Sequence, residues 1–139
     1  MAKLTEEQKN AVDYLLGFRK QVQTMGGYAG TGKTVVVSHL YNTLGDWDVC
    51  AFTGKAANIL RRRGIKTAST IHSLIYEAEK ELDGSIALDS YGNPIFVLKS
   101  GVDCAGFIVD EASMVNNDLF EDLRSFQKPI IFVGDHGQL

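Results

Sequence analysis

A chain of 139 residues suits one domain with a single core, and 45% hydrophobic with 22% charged residues is ordinary for a soluble globular protein. A net charge of −3 gives no molecule-wide attraction to nucleic acid, and no apolar run approaches the roughly 20 residues that span a bilayer. The opening MAKLTEEQKN lacks a signal-peptide core, so a cytoplasmic location without a membrane partner is expected.

In chain order, Thr5 with Gln8 three residues on forms a capping-box pattern. Ala11, Val12, Leu15 and Leu16 then recur on one helical face, which predicts a first helix. A short strand, Val22 to Met25, runs into GGYAGTGKT. The three valines that follow favour a strand by propensity, but a helix must start at Lys33 if the loop cradles phosphate, and Gly45 would end it. A strand at Val49–Phe52 and helices from Lys55 to Arg63 and from Thr70 to Leu82 come next. Within 84–100, the segment SIALDSYGNPIFVLKS sets two apolar runs around YGN, a hairpin pattern. FIVDE (Phe107–Glu111) and IIFVGD (Ile130–Asp135) are apolar runs that each end in acid, with a helix from Asn117 to Phe126 between them. Strands that alternate with helices and are apolar on both faces define an α/β class, a mostly parallel sheet covered on both sides with a small hairpin insertion. Ligands of such sheets bind at the carboxyl ends of the strands, where the distinctive residues of this chain fall.

Two other signals are weaker. Cys50 and Cys104 form no CxxC pair, and His39, His72 and His136 show no metal-ligand spacing with them, so no zinc site is expected. Arg61, Arg62, Arg63 and Lys66 cluster beside Lys55 and could follow a phosphate backbone, but the plainer reading is that the arginines close a helix.

Gly27, four residues, then Gly32, Lys33 and Thr34 satisfy GxxxxGK(S/T), a phosphate-binding P-loop. Glycines let backbone N–H groups approach the β-phosphate, and the helix beginning beside Lys33 turns its positive end on the anion. The pattern assigns Lys33 to the β- and γ-phosphates and the Thr34 hydroxyl to Mg²⁺. A magnesium nucleotide also needs an acid on a neighbouring strand. Asp110 and Asp135 are the candidates, and only Asp110 is followed by a second acid. Asp110 would hold Mg²⁺ and Glu111 would take a proton from the attacking water, while Gln138, three residues after Asp135, can sense the γ-phosphate. The cofactors expected are therefore ATP and Mg²⁺. No guanine-reading NKxD is present, DHGQ places its glycine one residue too early for a GTPase, and no arginine-rich kinase lid is evident.

LTEEQKNAV, GYAGTGKT, FTGKAANILRRRG, ASTIHSLI, VDEASM and GDHGQL occur in that order, and together they resemble the first half of a superfamily 1 DNA helicase of the RecD/Dda branch. The resemblance runs from Leu4 to Leu139 and implies a RecA-like P-loop NTPase domain that moves along single-stranded DNA. It implies nucleotide contacts at Gln8, Gly27, Ala29, Gly30, Thr31, Gly32, Lys33, Thr34 and Val35, with Gln8 reading the adenine edge. Thr53, Lys55 and Ala56 match the motif that lies along the DNA backbone, and Ser69, Thr70 and His72 match a second DNA-facing motif. The family also implies a second RecA-like domain or a partner subunit that supplies an arginine finger, a group worth ~10³–10⁵ in turnover in related phosphate chemistry. None is evident in this sequence. The 139-residue chain alone is therefore expected to hydrolyse ATP feebly and to unwind nothing. Two other readings stand beside this one: an ATP-binding switch or accessory module without motor activity, and an AAA+ ATPase, which would need a helical lid.

Overall fold

Along the two central strands, every side chain is buried, and neighbours point to opposite faces. β6 (Gly106–Asp110) and β7 (Ile130–Val133) are both of this kind. Ile108, Ile131 and Val133 pack to one side, and Phe107, Val109, Ile130 and Phe132 to the other. A strand can be apolar at consecutive positions only if both faces are covered. The computed structural model describes residues 22–25 and 31–134, with side chains from Val35 onward, and within them that cover is helical on both faces.

The remaining elements are β1 (Val22–Met25), α1 (Thr31–Leu44), β2 (Trp47–Ala51), α2 (Gly54–Arg62), β3 (Ser69–Thr70), α3 (Ile71–Ile75), β4 (Tyr76–Ala78), β5 (Phe96–Leu98), a 3₁₀ turn at Ala112–Met114 and α4 (Asn117–Arg124). The main sheet has the order β1-β7-β6-β2-β3, and every neighbouring pair is parallel. One core forms where Val36, Val37 and Leu40 of α1 and Ala57 and Leu60 of α2 meet Val49 and Ala51 of β2. The second forms where Ile71 and Ile75 of α3 and Leu119 and Leu123 of α4 meet Cys50, Phe107 and Phe132.

The three valines after the P-loop motif lie in α1, because helix is the conformation that aims Val36 and Val37 into the first core. That helix begins at Thr31, two residues before the expected Lys33. Gly45 stops it in the left-handed region at φ +70°, with its N–H on the Tyr41 carbonyl at 3.1 Å. At the opposite end of the sheet, Gly106 faces Trp47 across the β2–β6 ladder. A Cβ there would lie 2.7 Å from the indole ring and 2.8 Å from the Pro129 carbonyl, so no larger residue fits without displacement.

One expectation fails. The helix expected from Thr70 to Leu82 ends at Ile75, and Tyr76 is already extended (φ −112°, ψ 153°). Tyr76–Ala78 instead pairs antiparallel with Phe96–Leu98, in the register Tyr76↔Leu98. The intrinsic helix preference of EAEKEL is outweighed because these backbone groups have strand partners, and Ile75 is the last residue of the helix that the core can hold. The turn around YGN is present: the Asp89 carboxylate accepts the N–H groups of Tyr91 and Asn93, and Gly92 takes φ +83°. The IFVL arm, however, pairs chiefly with 76–79, while SIAL contributes single bridges, Lys80↔Ile86 and Leu88↔Pro94.

Candidate nucleotide and nucleic-acid site

The registers bring the expected site to one edge. Met25, the last residue of β1, pairs with Val133, the last of β7. One strand over, Asp110 ends β6 opposite Ala51, which ends β2, and Ala51 pairs with Thr70, which ends β3. All five parallel strands thus finish at the same level, and the motifs leave from there. The GGYAGTGKT loop follows β1, the TGK segment follows β2, and VDE closes β6. β1 and β6 flank β7, so the P-loop strand and the acidic strand stand two ladder spacings apart, roughly 10 Å.

Thr31, Gly32, Lys33, Thr34 and Val35 form the first turn and more of α1, and the backbone N–H groups at its start are those a helix cannot use internally. Gln8, Gly27, Ala29, Gly30, Asp135 and Gln138 lie outside the described residues, as does the helix expected after Thr5. Asp110 is buried, 6% exposed, and its Oδ1 accepts the Glu111 N–H at 2.9 Å. Glu111 itself sits in the left-handed region (φ 58°, ψ 45°), an arrangement that costs a non-glycine residue about 1–3 kcal/mol. Its carbonyl accepts the Met114 N–H at 3.0 Å, which begins the 3₁₀ turn. The carboxylate is met by a hydroxyl: Thr53 Oγ1 donates to Glu111 Oε1 at 3.1 Å.

Thr53 is the N-cap of α2, and its hydroxyl accepts the Ala56 N–H at 3.1 Å. The Ala56 amide is therefore already used within the helix, whereas the Lys55 side chain is exposed in the first turn. Arg61 is structural: its Nη1 donates to the Ala68 carbonyl at 2.7 Å, holding the chain after α2. Ser69 and Thr70 end β3, and Thr70 caps α3 through the Ser73 N–H at 3.1 Å. Five residues make α3 too short for much of a dipole, so hydroxyls rather than the helix end are the polar groups on offer there. His72 is exposed, its ring edge-on to Phe52 at 6.0 Å and tilted against Tyr76 at 5.6 Å.

Sequence reading missed two contributors to this region. Tyr76 and the exposed Phe96 join Thr70, His72 and Ser73 around an open cleft of about 560 Å³. The Tyr76 hydroxyl donates to Asp122 on α4, 46 positions away. Burial, then this carboxylate, push its pKa up to about 12. No local pattern signals a partner that distant. The alternating acids at 77, 79, 81 and 83 were a legible sign of strand rather than helix.

A P-loop motif after β1, an acid pair closing a strand two ladders away, and a parallel sheet between helix layers define the architecture of a RecA-like P-loop domain. The chain belongs to the AAA domain family, which it matches over residues 3–139. It is 36% identical to the ATP-dependent RecD2 DNA helicase of Deinococcus radiodurans over 146 aligned residues, covering 98% of this chain and 18% of that protein. Its fold is similar to that of a Pif1 helicase double mutant from Bacteroides, with a TM-score of 0.63 and 24% identity, covering 99% of this chain and 33% of the other. Bacteroides Pif1 bound to single-stranded DNA is similar too, with a TM-score of 0.61 and 22% identity over 97% of this chain and 32% of that one. The chain is thus similar in sequence to part of a RecD2 helicase and in fold to part of the Pif1 helicases. It spans under a fifth of the RecD2 relative and about a third of the Pif1 chains.

Proposed function

We propose that this chain is the first motor domain of an ATP-dependent DNA helicase, binding and hydrolysing ATP in step with movement along single-stranded DNA. The observation that carries the reading is the shared level of the strand ends, which sets the end of β1, Asp110–Glu111, Thr53 and Thr70 along one edge. RecD2 at 36% identity, and a structural relative seen bound to single-stranded DNA, support it.

In this reading the backbone of residues 27–34 holds the phosphates, Lys33 neutralises the β- and γ-groups, and Gln8 reads the adenine. A helix-start hydroxyl, Thr34, and a strand-end carboxylate, Asp110, are hard oxygen donors of the kind Mg²⁺ takes, and the ion would neutralise charge building on the γ-phosphate. Glu111 takes a proton from water as that water attacks phosphorus, the bond to the bridging oxygen breaks, and ADP leaves with Gln138 sensing the loss. Thr53, Lys55, Ser69, Thr70 and His72 face the DNA, with Lys55 supplying the exposed charge and the hydroxyls hydrogen bonds to phosphate oxygens. Ala56 contributes through the helix turn it stabilises rather than through its amide. A second RecA-like domain or partner subunit supplies the arginine finger.

Phosphate release from ATP, measured with and without single-stranded DNA, tests this. DNA should stimulate the rate, and Lys33→Ala should abolish it. Turnover that survives Lys33→Ala would sink the reading.

A further inference from the structure

His72 is exposed and stands on α3, a helix of five residues that gives its side chain little support. Among the described residues, its imidazole is held by ring contacts rather than by hydrogen bonds. Phe52, just after β2, meets it edge-on at 6.0 Å, and Tyr76 lies tilted against it at 5.6 Å. Tyr76 is itself fixed at both ends. Its N–H donates to the His72 carbonyl, closing α3, and its hydroxyl donates to the Asp122 carboxylate. Asp122 stands on α4, which Leu119 and Leu123 bind into the second core, and Phe52 packs on that same core. A line of contacts thus runs from the core through Asp122 and Tyr76 to an exposed ring.

We infer that Tyr76, tied to Asp122, is a positioning residue for His72, holding the imidazole in the orientation in which it meets single-stranded DNA. The inference rests on the reading of His72 as a DNA contact and deepens it. An exposed histidine left free samples several rotamers, and ordering such a side chain on binding costs roughly two- to tenfold in affinity. A ring braced between Phe52 and Tyr76 is ordered before DNA arrives. The Tyr76 hydroxyl matters because the backbone bond fixes only the near end of that side chain, and without Asp122 the phenol ring can turn away from His72. Asp122 is an acid and repels a phosphate backbone, so its use beside a DNA face is mechanical rather than electrostatic.

Binding of a fluorescein-labelled oligothymidylate to the 139-residue chain should be followed by anisotropy, at a temperature where circular dichroism shows every variant folded. Tyr76→Phe keeps the ring and the net charge and removes the tie. It is expected to weaken binding roughly two- to tenfold in the parent and to change nothing in a His72→Ala background. A tie that serves stability alone gives the same result in both backgrounds, and that outcome overturns the inference. If the Phe variant fails to fold, Asp122→Ala carries the same expectation. Its direction is diagnostic, because removing an acid by itself tightens binding to phosphates. A folded Asp122→Ala variant that binds DNA more tightly than the parent overturns the inference. Proton NMR reads the ring directly: Tyr76→Phe should move the His72 imidazole signals towards those of free histidine and leave those of His39, on α1, in place. Unmoved His72 signals also overturn it. His72→Ala separates the two levels. If it weakens binding while Tyr76→Phe does not, only the positioning is wrong. If His72→Ala binds as the parent does, or the parent binds no DNA, the reading of His72 as a DNA contact falls and the inference with it.

Discussion

Tyr76 is where three elements meet: it caps α3, opens β4, and donates its hydroxyl to Asp122 of α4. Burial first, then the Asp122 acceptor and the nearby negative charge of Asp118, raise its pKa from 10.0 to about 12. The sign follows directly. The folded chain keeps the phenolic proton more tightly than the unfolded chain does, so this stabilisation is fully present below pH 10 and is lost as pH rises towards about 12. Tyr76→Phe should therefore flatten the fall in melting temperature across that window while lowering stability at pH 7. An unchanged alkaline slope in the Phe variant would refute the assignment. Cys50 is a residue-scale case of the opposite usefulness. It is wholly buried, and burial pushes its thiol far above the ordinary range, so it should resist alkylation at pH 8 until the chain unfolds. Mass spectrometry of native protein treated with iodoacetamide would reveal any modification at Cys50.

At the scale of elements, pairing outweighs propensity. Val35–Val37 resemble strand yet form helix, and Glu77–Leu82 resemble helix yet begin as strand. In each case the deciding term is what covers the backbone and the apolar side chains, and that is supplied from elsewhere in the chain. Gly106 makes the same point for a single ladder. Its lack of a side chain admits the Trp47 ring of β2 against the β6 backbone, and nothing in GFIVD announces that partner. Gly106→Ala should cost about 1–3 kcal/mol through overpacking. Denaturant unfolding would register this as a lower midpoint at unchanged slope, with Trp47→Leu in the same chain recovering part of the loss. The hairpin is the converse. Leu82, Ile86, Leu88, Tyr91 and Phe96 are all exposed, and Ala87 is the one buried residue between Lys80 and Pro94. Replacing 80–94 by a two-residue Asn-Gly turn should thus leave cooperative unfolding in place, with the melting temperature within a few degrees of the parent's. Loss of the cooperative transition would mean that the insertion belongs to the core.

For the whole molecule, the decisive feature is a level edge. The P-loop motif, the VDE acids and the order of segments could be read directly from residues, because each is local chemistry: glycines near a phosphate, a lysine beside them, carboxylates closing an apolar run. The α/β class was equally legible, since strands apolar at consecutive positions need cover on both faces. The order β1-β7-β6-β2-β3 was not, nor was the short strand β3, nor that Thr53 would meet Glu111. Strand order depends on which buried faces fit one another across tens of residues, and a hydrogen bond spanning 58 positions leaves no periodicity behind it. The sequence determined which chemical groups are present, their order, and that the phosphate-loop motif and the acid pair each follow an apolar run, because those are local properties of the chain. Only the tertiary structure decided which of these groups share an edge and that Thr53 meets Glu111, because such contacts arise from packing between segments remote in the chain.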